Sequence, residues 1–141
     1  MNDLHVRVAD WQKDNADLRR IRDTVFVAEQ AVPPELEWDG EDAEAIHFLA
    51  LDNGYAIGTA RLLRDGSIGR VSVIKDWRGL KVGEALMTAV IQEAEKLGLT
   101  RQMLSAQVQA APFYERLGFS IVSDEFLDAG IPHVDMVRVS S

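Results

Sequence analysis

The run from Val71 to Leu86 (VSVIKDWRGLKVGEAL) joins an apolar strand to a long amphipathic helix through a short glycine-containing loop. At such a junction the first-turn N–H groups lack intrahelical partners, and the helix dipole adds partial positive charge. Together they make an anion site; Gly79 and Gly83 let backbone approach a phosphate closely, and Arg78 and Lys81 add charge beside it. A pyrophosphate suits this geometry. Glycines at such a junction also serve as plain tight turns. The loop is not a P-loop, since no Gly-Lys-Ser/Thr follows, nor a dinucleotide fingerprint, since Gly-x-Gly-x-x-Gly is absent. A second run, Gln107 to Phe119 (QVQAAPFYERLGF), ends a strand, opens a short helix carrying Phe113 and Tyr114, and stops at Gly118. Taken alone, Tyr114 reads as a half-buried packing residue whose hydroxyl reaches water.

The elements that must position these runs follow from hydrophobic period. Leu4 to Val8 alternates and reads as a first strand. From about Asn15 to Gln30, Leu18, Ile21, Val25 and Phe26 recur at helical spacing, with Asp14 or Asn15 as N-cap and Pro33-Pro34 as the stop. Ile46 to Leu51 and Tyr55 to Leu63 form a hairpin turned at Asp52-Asn53-Gly54, and Asp65-Gly66 turns the chain into Ile68 to Ile74. Beyond Trp77, Val82, Leu86, Val90, Ile91 and Ala94 mark one face of a helix that Gly98 ends. Gln102 to Val108 is a strand, Pro112 to Leu117 a short helix, and Phe119 to Val122 and His133 to Val139 are strands. The order β-α-β-β-β-α-β-α-β-β implies an α/β fold with a mixed sheet flanked by helices.

At 141 residues, without an internal repeat or a Pro/Gly/Ser-rich linker, the chain is expected to form one domain over 1–141. No apolar run approaches the roughly 18 residues needed to span a bilayer, and MNDLHVRVAD lacks the layout of a secretory signal, so a cytoplasmic protein away from membranes is expected. The absence of cysteine excludes disulfides, thiolate metal sites and a cysteine nucleophile; no metal is expected. A net charge of −8 argues against nucleic acid, which requires a basic face. Acidity would suit a cationic acceptor, but solubility explains it as well, and the acidic run from Glu35 to Glu44 reads first as a solvated loop.

The two runs, in this order and separation, resemble motifs of the GNAT acyltransferase superfamily. The first resembles its acetyl-CoA loop, Arg/Gln-x-x-Gly-x-Gly/Ala; the second resembles Asn-x-x-Ala-x-x-Phe-Tyr-x-x-x-Gly-Phe. Val25 to Val27 with Glu29-Gln30, Ala45 to His47, Ser105 to Gln107 and Gly130 to His133 look like the ElaA-like branch of that superfamily. Two positions depart from the pattern. Lys81 replaces the inner glycine of the loop, where a first-turn residue in helical dihedrals could still donate its amide. Gln107 replaces the usual asparagine, one methylene longer.

The resemblance implies a sheet splayed between two parallel strands, with acetyl-CoA as cosubstrate and an amine as acceptor; a homodimer is compatible with it. It implies that Val71, Ser72 and Val73 pair with the pantetheine amides. Arg78, Gly79, Leu80, Lys81, Val82, Gly83 and Glu84 would hold the pyrophosphate, with Gln107, Ala110 and Phe113 beside the cofactor. Tyr114 would protonate the departing thiolate. A base for the amine is expected too: Glu29 ranks first, while His47 and His133 read as packed or hydrogen-bonded residues. The rival readings are an acyl-CoA sensor without catalysis, an interaction module that keeps only the fold, and a nucleotide-phosphate binder.

Overall fold

The computed structural model describes residues 3–32, 40, 42–79 and 81–140. Pro33-Pro34, most of the acidic run and Leu80 therefore lie outside the described residues. The strands β1 (Leu4–Ala9), β2 (Ile46–Asp52), β3 (Tyr55–Leu62) and β4 (Ile68–Val73) form an antiparallel sheet in chain order. Asn53 and Gly54 take φ of +50° and +84°, the pair of left-handed residues that a two-residue hairpin turn needs. The second sheet has order β5-β8-β6, from β5 (Arg101–Gln107), β8 (Ile131–Val139) and β6 (Ser120–Ile121), with β7 (Phe126–Asp128) also paired to β8. Strand β7 was not expected. It is three residues long and turns into β8 at Ala129-Gly130, where alanine takes the left-handed conformation usually given to Asn or Asp.

Both faces of the first sheet are covered, which is why β2 and β3 read as near-continuous apolar runs. Helix α1 (Asn15–Arg22) buries Leu18 and Ile21 against Leu49 and Ala56 on one face. Helix α2 (Val82–Lys96) buries Leu86, Met87, Val90 and Ala94 against Phe48, Ala50 and Ile57 on the other. Burying each such side chain contributes roughly 1.5–3 kcal/mol. Helix α2 lies close to the sheet: a Cβ on Gly58 would stand 3.0 Å from Leu86 Cδ1.

The first helix departs from its expected form. It is α-helical only to Arg22, and Asp23–Glu29 then winds as a π-helix, with Gln30 N–H donating to the Val25 carbonyl five residues back. Thr24 donates its hydroxyl to the Arg20 carbonyl, a back-bond that loosens α-helical winding there. Neither expected N-cap caps. The Asp14 carboxylate is held by the Arg7 guanidinium at 2.9 and 3.0 Å, and Asn15 accepts from Arg19 instead.

A buried polar cluster ties α1 to the first sheet. Asp42 Oδ1 accepts from Arg22 at 2.8 Å and from Arg61 at 3.2 Å, and its backbone carbonyl accepts from His47 Nε2 at 2.7 Å. Trp11 stacks on the His47 ring. His47 is 2% exposed, and burial pushes its pKa down, so it stays neutral at pH 7. It is a structural residue, as its place on a strand implied.

Candidate active site

The two sheets touch at one end and part at the other. At the join, Ser67 bridges Met103 in parallel, and Met103 N–H donates to the Gly66 carbonyl. Gly66 sits so close to β5 that a Cβ would come within 2.3 Å of the Arg101 carbonyl oxygen, at a φ of +95°. Past this point β4 and β5 have no ladder between them among the described residues, and the outer edge of Val71 to Val73 is left without a strand. The gap opens into a cleft of about 850 Å³, within the range of small-ligand sites, which Val71, Gln107, Ala110 and Tyr114 help to line.

A β-bulge shapes the wall of the gap. The β3–β4 register shifts between Thr59 and Arg61, and Arg70 takes a φ of +52°. The Arg70 carbonyl accepts from the hydroxyls of Thr59 (2.9 Å) and Ser72 (3.2 Å), which holds this residue in a conformation that non-glycine residues seldom adopt. Ser72 is thereby buried within the sheet; Val71 and Val73 flank it, half-buried.

The loop after β4 passes through a 3₁₀ turn, Lys75–Trp77, and then Arg78 in extended conformation. Gly79 follows at φ +78°, a value that favours glycine, and space around it is open. Lys81 corrects the expectation of helical dihedrals: its φ and ψ are 65° and 18°, left-handed, and it stands at the N-cap of α2. The glycine usual at this position in the resembling motif fits such a backbone without cost, whereas lysine carries roughly 1–2 kcal/mol of strain. The side chain of Lys81 makes no capping bond, so the first-turn N–H groups of Val82, Gly83 and Glu84 have no intrahelical partner. Gly83 lies against the short helix α3 (Ala111–Glu115): a Cβ there would stand 3.5 Å from Phe113 Cζ, an ordinary contact.

The strain at Lys81 predicts a stability change. Lys81→Gly should relieve it, offset in part by the greater freedom of glycine in the unfolded chain. A net gain of about 0.5–1 kcal/mol is expected, or a melting temperature about 2–4 °C higher. An unchanged or lower melt would mean that the lysine side chain itself holds the turn.

Glu29 and Arg78 meet, 49 residues apart in sequence. Arg78 Nη2 donates to Glu29 Oε2 at 3.0 Å, Nη1 donates to Oε1, and Nε donates to the Val73 carbonyl at 2.9 Å. The guanidinium holds the Glu29 carboxyl below the usual carboxylate range. A carboxylate so paired is a weaker base than sequence position suggested, and Arg78 is already occupied with an anion. Gln107 is likewise engaged, donating to Gln30 at 2.9 Å and accepting from Gln109 at 2.6 Å.

Tyr114 lies half-buried on α3, edge-on to Phe113 and Phe119, with ring centroids 5.0 and 6.1 Å away. Burial pushes its hydroxyl up to about 12, so it remains a protonated donor at neutral pH. Opposite it, the π-helix brings Phe26 and Gln30 to the cleft, the first sheet contributes Arg61 and Arg70, and β8 contributes His133 and Asp135. Of these, only His133 was weighed from sequence. The π-helix places Gln30, which the sequence marked only as part of the family-like Glu29-Gln30 pair, and the bulge places Arg70, which no sequence pattern marked.

Known proteins share this arrangement. The family described as "Acetyltransferase (GNAT) domain" matches residues 9–140. The uncharacterized N-acetyltransferase YjcF of Bacillus subtilis is 37% identical over 93% of this chain and 96% of its own length. A crystal structure of an acyl-CoA N-acyltransferase from Pseudomonas aeruginosa superposes with a TM-score of 0.85 at 34% identity, covering 97% of this chain and 99% of its own. Escherichia coli ElaA superposes with a TM-score of 0.87 at 28% identity, over 96% and 99%. With the paired motifs, the splayed sheets and these relatives in agreement, the chain belongs to the GNAT acetyltransferase family.

Proposed function

We propose that this chain transfers an acetyl group from acetyl-CoA to a primary amine, with Tyr114 assisting departure of the thiol. The observation that carries the reading is one cleft, lined by Val71, Gln107 and Tyr114, in the gap between β4 and β5. The unpaired edge of β4 fits the amides of a pantetheine arm, much as a strand adds to a sheet. The open N–H groups of Val82 to Glu84, with Lys81 beside them, fit a pyrophosphate. For Arg78 to join them, phosphate must displace the Glu29 carboxylate.

In the reaction, the neutral amine nitrogen attacks the thioester carbonyl carbon. The C–N bond forms, the C–S bond breaks, and the bonding pair leaves on sulfur. A phenol near 12 is some 3.5 units weaker an acid than a thiol near the ordinary 8.5, so outright proton transfer is uphill by about 5 kcal/mol. Tyr114 therefore acts as a hydrogen-bond donor to the developing thiolate, which gains its proton as the amine sheds one.

The test combines melting and turnover. CoA at 100 times its Kd should stabilise the fold by roughly 2.7 kcal/mol, while ADP should do less because it lacks the pantetheine. Free-thiol release from acetyl-CoA should rise when primary amines, polyamines or peptide N-termini are supplied. Equal shifts with ADP and CoA would make the protein a nucleotide-phosphate binder. A shift with CoA but no amine-dependent thiol would make it a sensor.

A further inference from the structure

We infer that His133 is the general base that takes the proton of the acceptor amine, an inference that rests on the acetyl-transfer reading. His133 sits on β8, flanked by Gln107 of β5 and Phe126 of β7 at the same register, and its ring stacks on Phe126. Its Nδ1 lies 2.7 Å from the Ile131 carbonyl oxygen. A carbonyl only accepts, so Nδ1 carries a hydrogen, which in the neutral ring leaves the lone pair on Nε2. The side chain lines the cleft that Tyr114 also lines. The backbone thus orients the ring so that Nε2, not Nδ1, is the nitrogen that can take a proton.

The rival base is weaker. Glu29 is clamped by the two terminal guanidinium nitrogens of Arg78, and its carboxyl is held below the usual range. Among the described residues, the other charged or titratable groups on the cleft are Asp135 on β8, Asp128 on β7, Tyr114 on α3, Arg101 at the start of β5, and Arg61 and Arg70 on the first sheet. Asp135 accepts the Ser105 hydroxyl at 2.6 Å. The two carboxylates on the His133 side favour the approach of a cation, which is how an alkylamine arrives at pH 7.

The proton count closes. Nε2 takes one proton from the ammonium, leaving a neutral amine to attack. The amide nitrogen then loses its second proton as the C–S bond breaks, and sulfur departs as thiol. His133 returns its proton to solvent, so each turnover yields one acetamide, one CoA thiol and one proton.

The experiment separates the base from its structural hydrogen bond. In His133→Asn the side-chain amide can still donate to the Ile131 carbonyl, while nothing stands at the Nε2 position. Thiol release from acetyl-CoA is followed from pH 6 to 10 with spermidine, phenethylamine and glycinamide as acceptors, and CoA-induced melting shifts are recorded for both forms. The expected result is an unchanged CoA shift and a kcat/KM for the amine lower by about 10²-fold at pH 7. That gap should narrow toward pH 10, where an alkylamine supplies its own neutral form. Rates within twofold at pH 7, or a deficit that does not change with pH, would overturn His133 as the base while leaving the transferase reading intact. A native chain that binds CoA but releases no thiol with any of the three amines would overturn both.

Discussion

Asp42→Ala is expected to destabilise the fold by about 3–5 kcal/mol, the range for breaking a buried ion pair from one side. Arg22 is 1% exposed and Arg61 4%, and both guanidinium groups direct an Nη1 at the same Asp42 oxygen. Burial pulls the Asp42 carboxyl up, but the two arginines together outweigh it and hold it below the usual range. Removing the carboxylate takes from Arg22 and Arg61 the counter-charge they share, and the recovered cost of burying the carboxylate offsets that loss only in part. Asp42 lies in the 3₁₀ turn just before β2, and its backbone carbonyl, which alanine keeps, still accepts from His47, so the loss falls on the two arginines. Urea unfolding of the variant, with exposed Glu44→Ala as control, should show the full difference, matched by a melting point roughly 10 °C or more lower. A folded-state pKa below the ordinary 3.8 means that the stabilisation is present above that pH and is lost as pH falls through the lower value. The gap between native and variant should therefore hold at neutral pH and close only in strong acid. A loss below about 1 kcal/mol would mean that the cluster relaxes around the deletion.

Local rules made much of this legible. Asn53-Gly54 named its own hairpin because few other pairs adopt two left-handed residues without strain. The apolar face from Val82 to Ala94 named α2, and the order of strands and helices implied a sheet flanked by helices. What could not be read depends on long-range contact or on backbone choices that side chains mark poorly. The π-winding after Arg22 keeps the same apolar residues inside that an α-helix would, so period alone does not distinguish the two. Lys81 is an ordinary helix former in sequence, yet its backbone is left-handed; the glycine of the resembling motif was the one available signal, and its replacement by lysine masked it. The Glu29–Arg78 pair joins two residues given separate roles from sequence, one as base and one as phosphate ligand. Their meeting is a property of the π-helix and the loop after β4 converging in the fold. The splay itself is set by Gly66 pressing on Arg101, a tertiary contact with no period to announce it.

Tyr114→Phe is expected to lower kcat by about tenfold or more while leaving the KM for acetyl-CoA nearly unchanged. The ring keeps its edge-on contacts with Phe113 and Phe119, so folding and CoA binding should change little. Only the hydroxyl goes, and with it the hydrogen bond to sulfur that grows as the thiolate develops. An interaction made mainly in the transition state lowers kcat and kcat/KM together, which is the pattern to look for. Because burial holds this hydroxyl near 12, Tyr114 does not titrate between pH 6 and 9, and the ratio of native to variant rates should be flat across that range. That flatness sets it apart from His133, whose replacement should matter most at low pH and least at high pH. The two variants together therefore report on opposite ends of one reaction, proton removal from the amine and charge stabilisation on the sulfur. A CoA thiolate is a fair leaving group, and water reaching the cleft could take over part of the donor role, so the loss stays short of the largest seen for general acids. Rates within twofold of the native enzyme at every pH would take Tyr114 out of the mechanism, leaving the cleft to work by holding amine and thioester together.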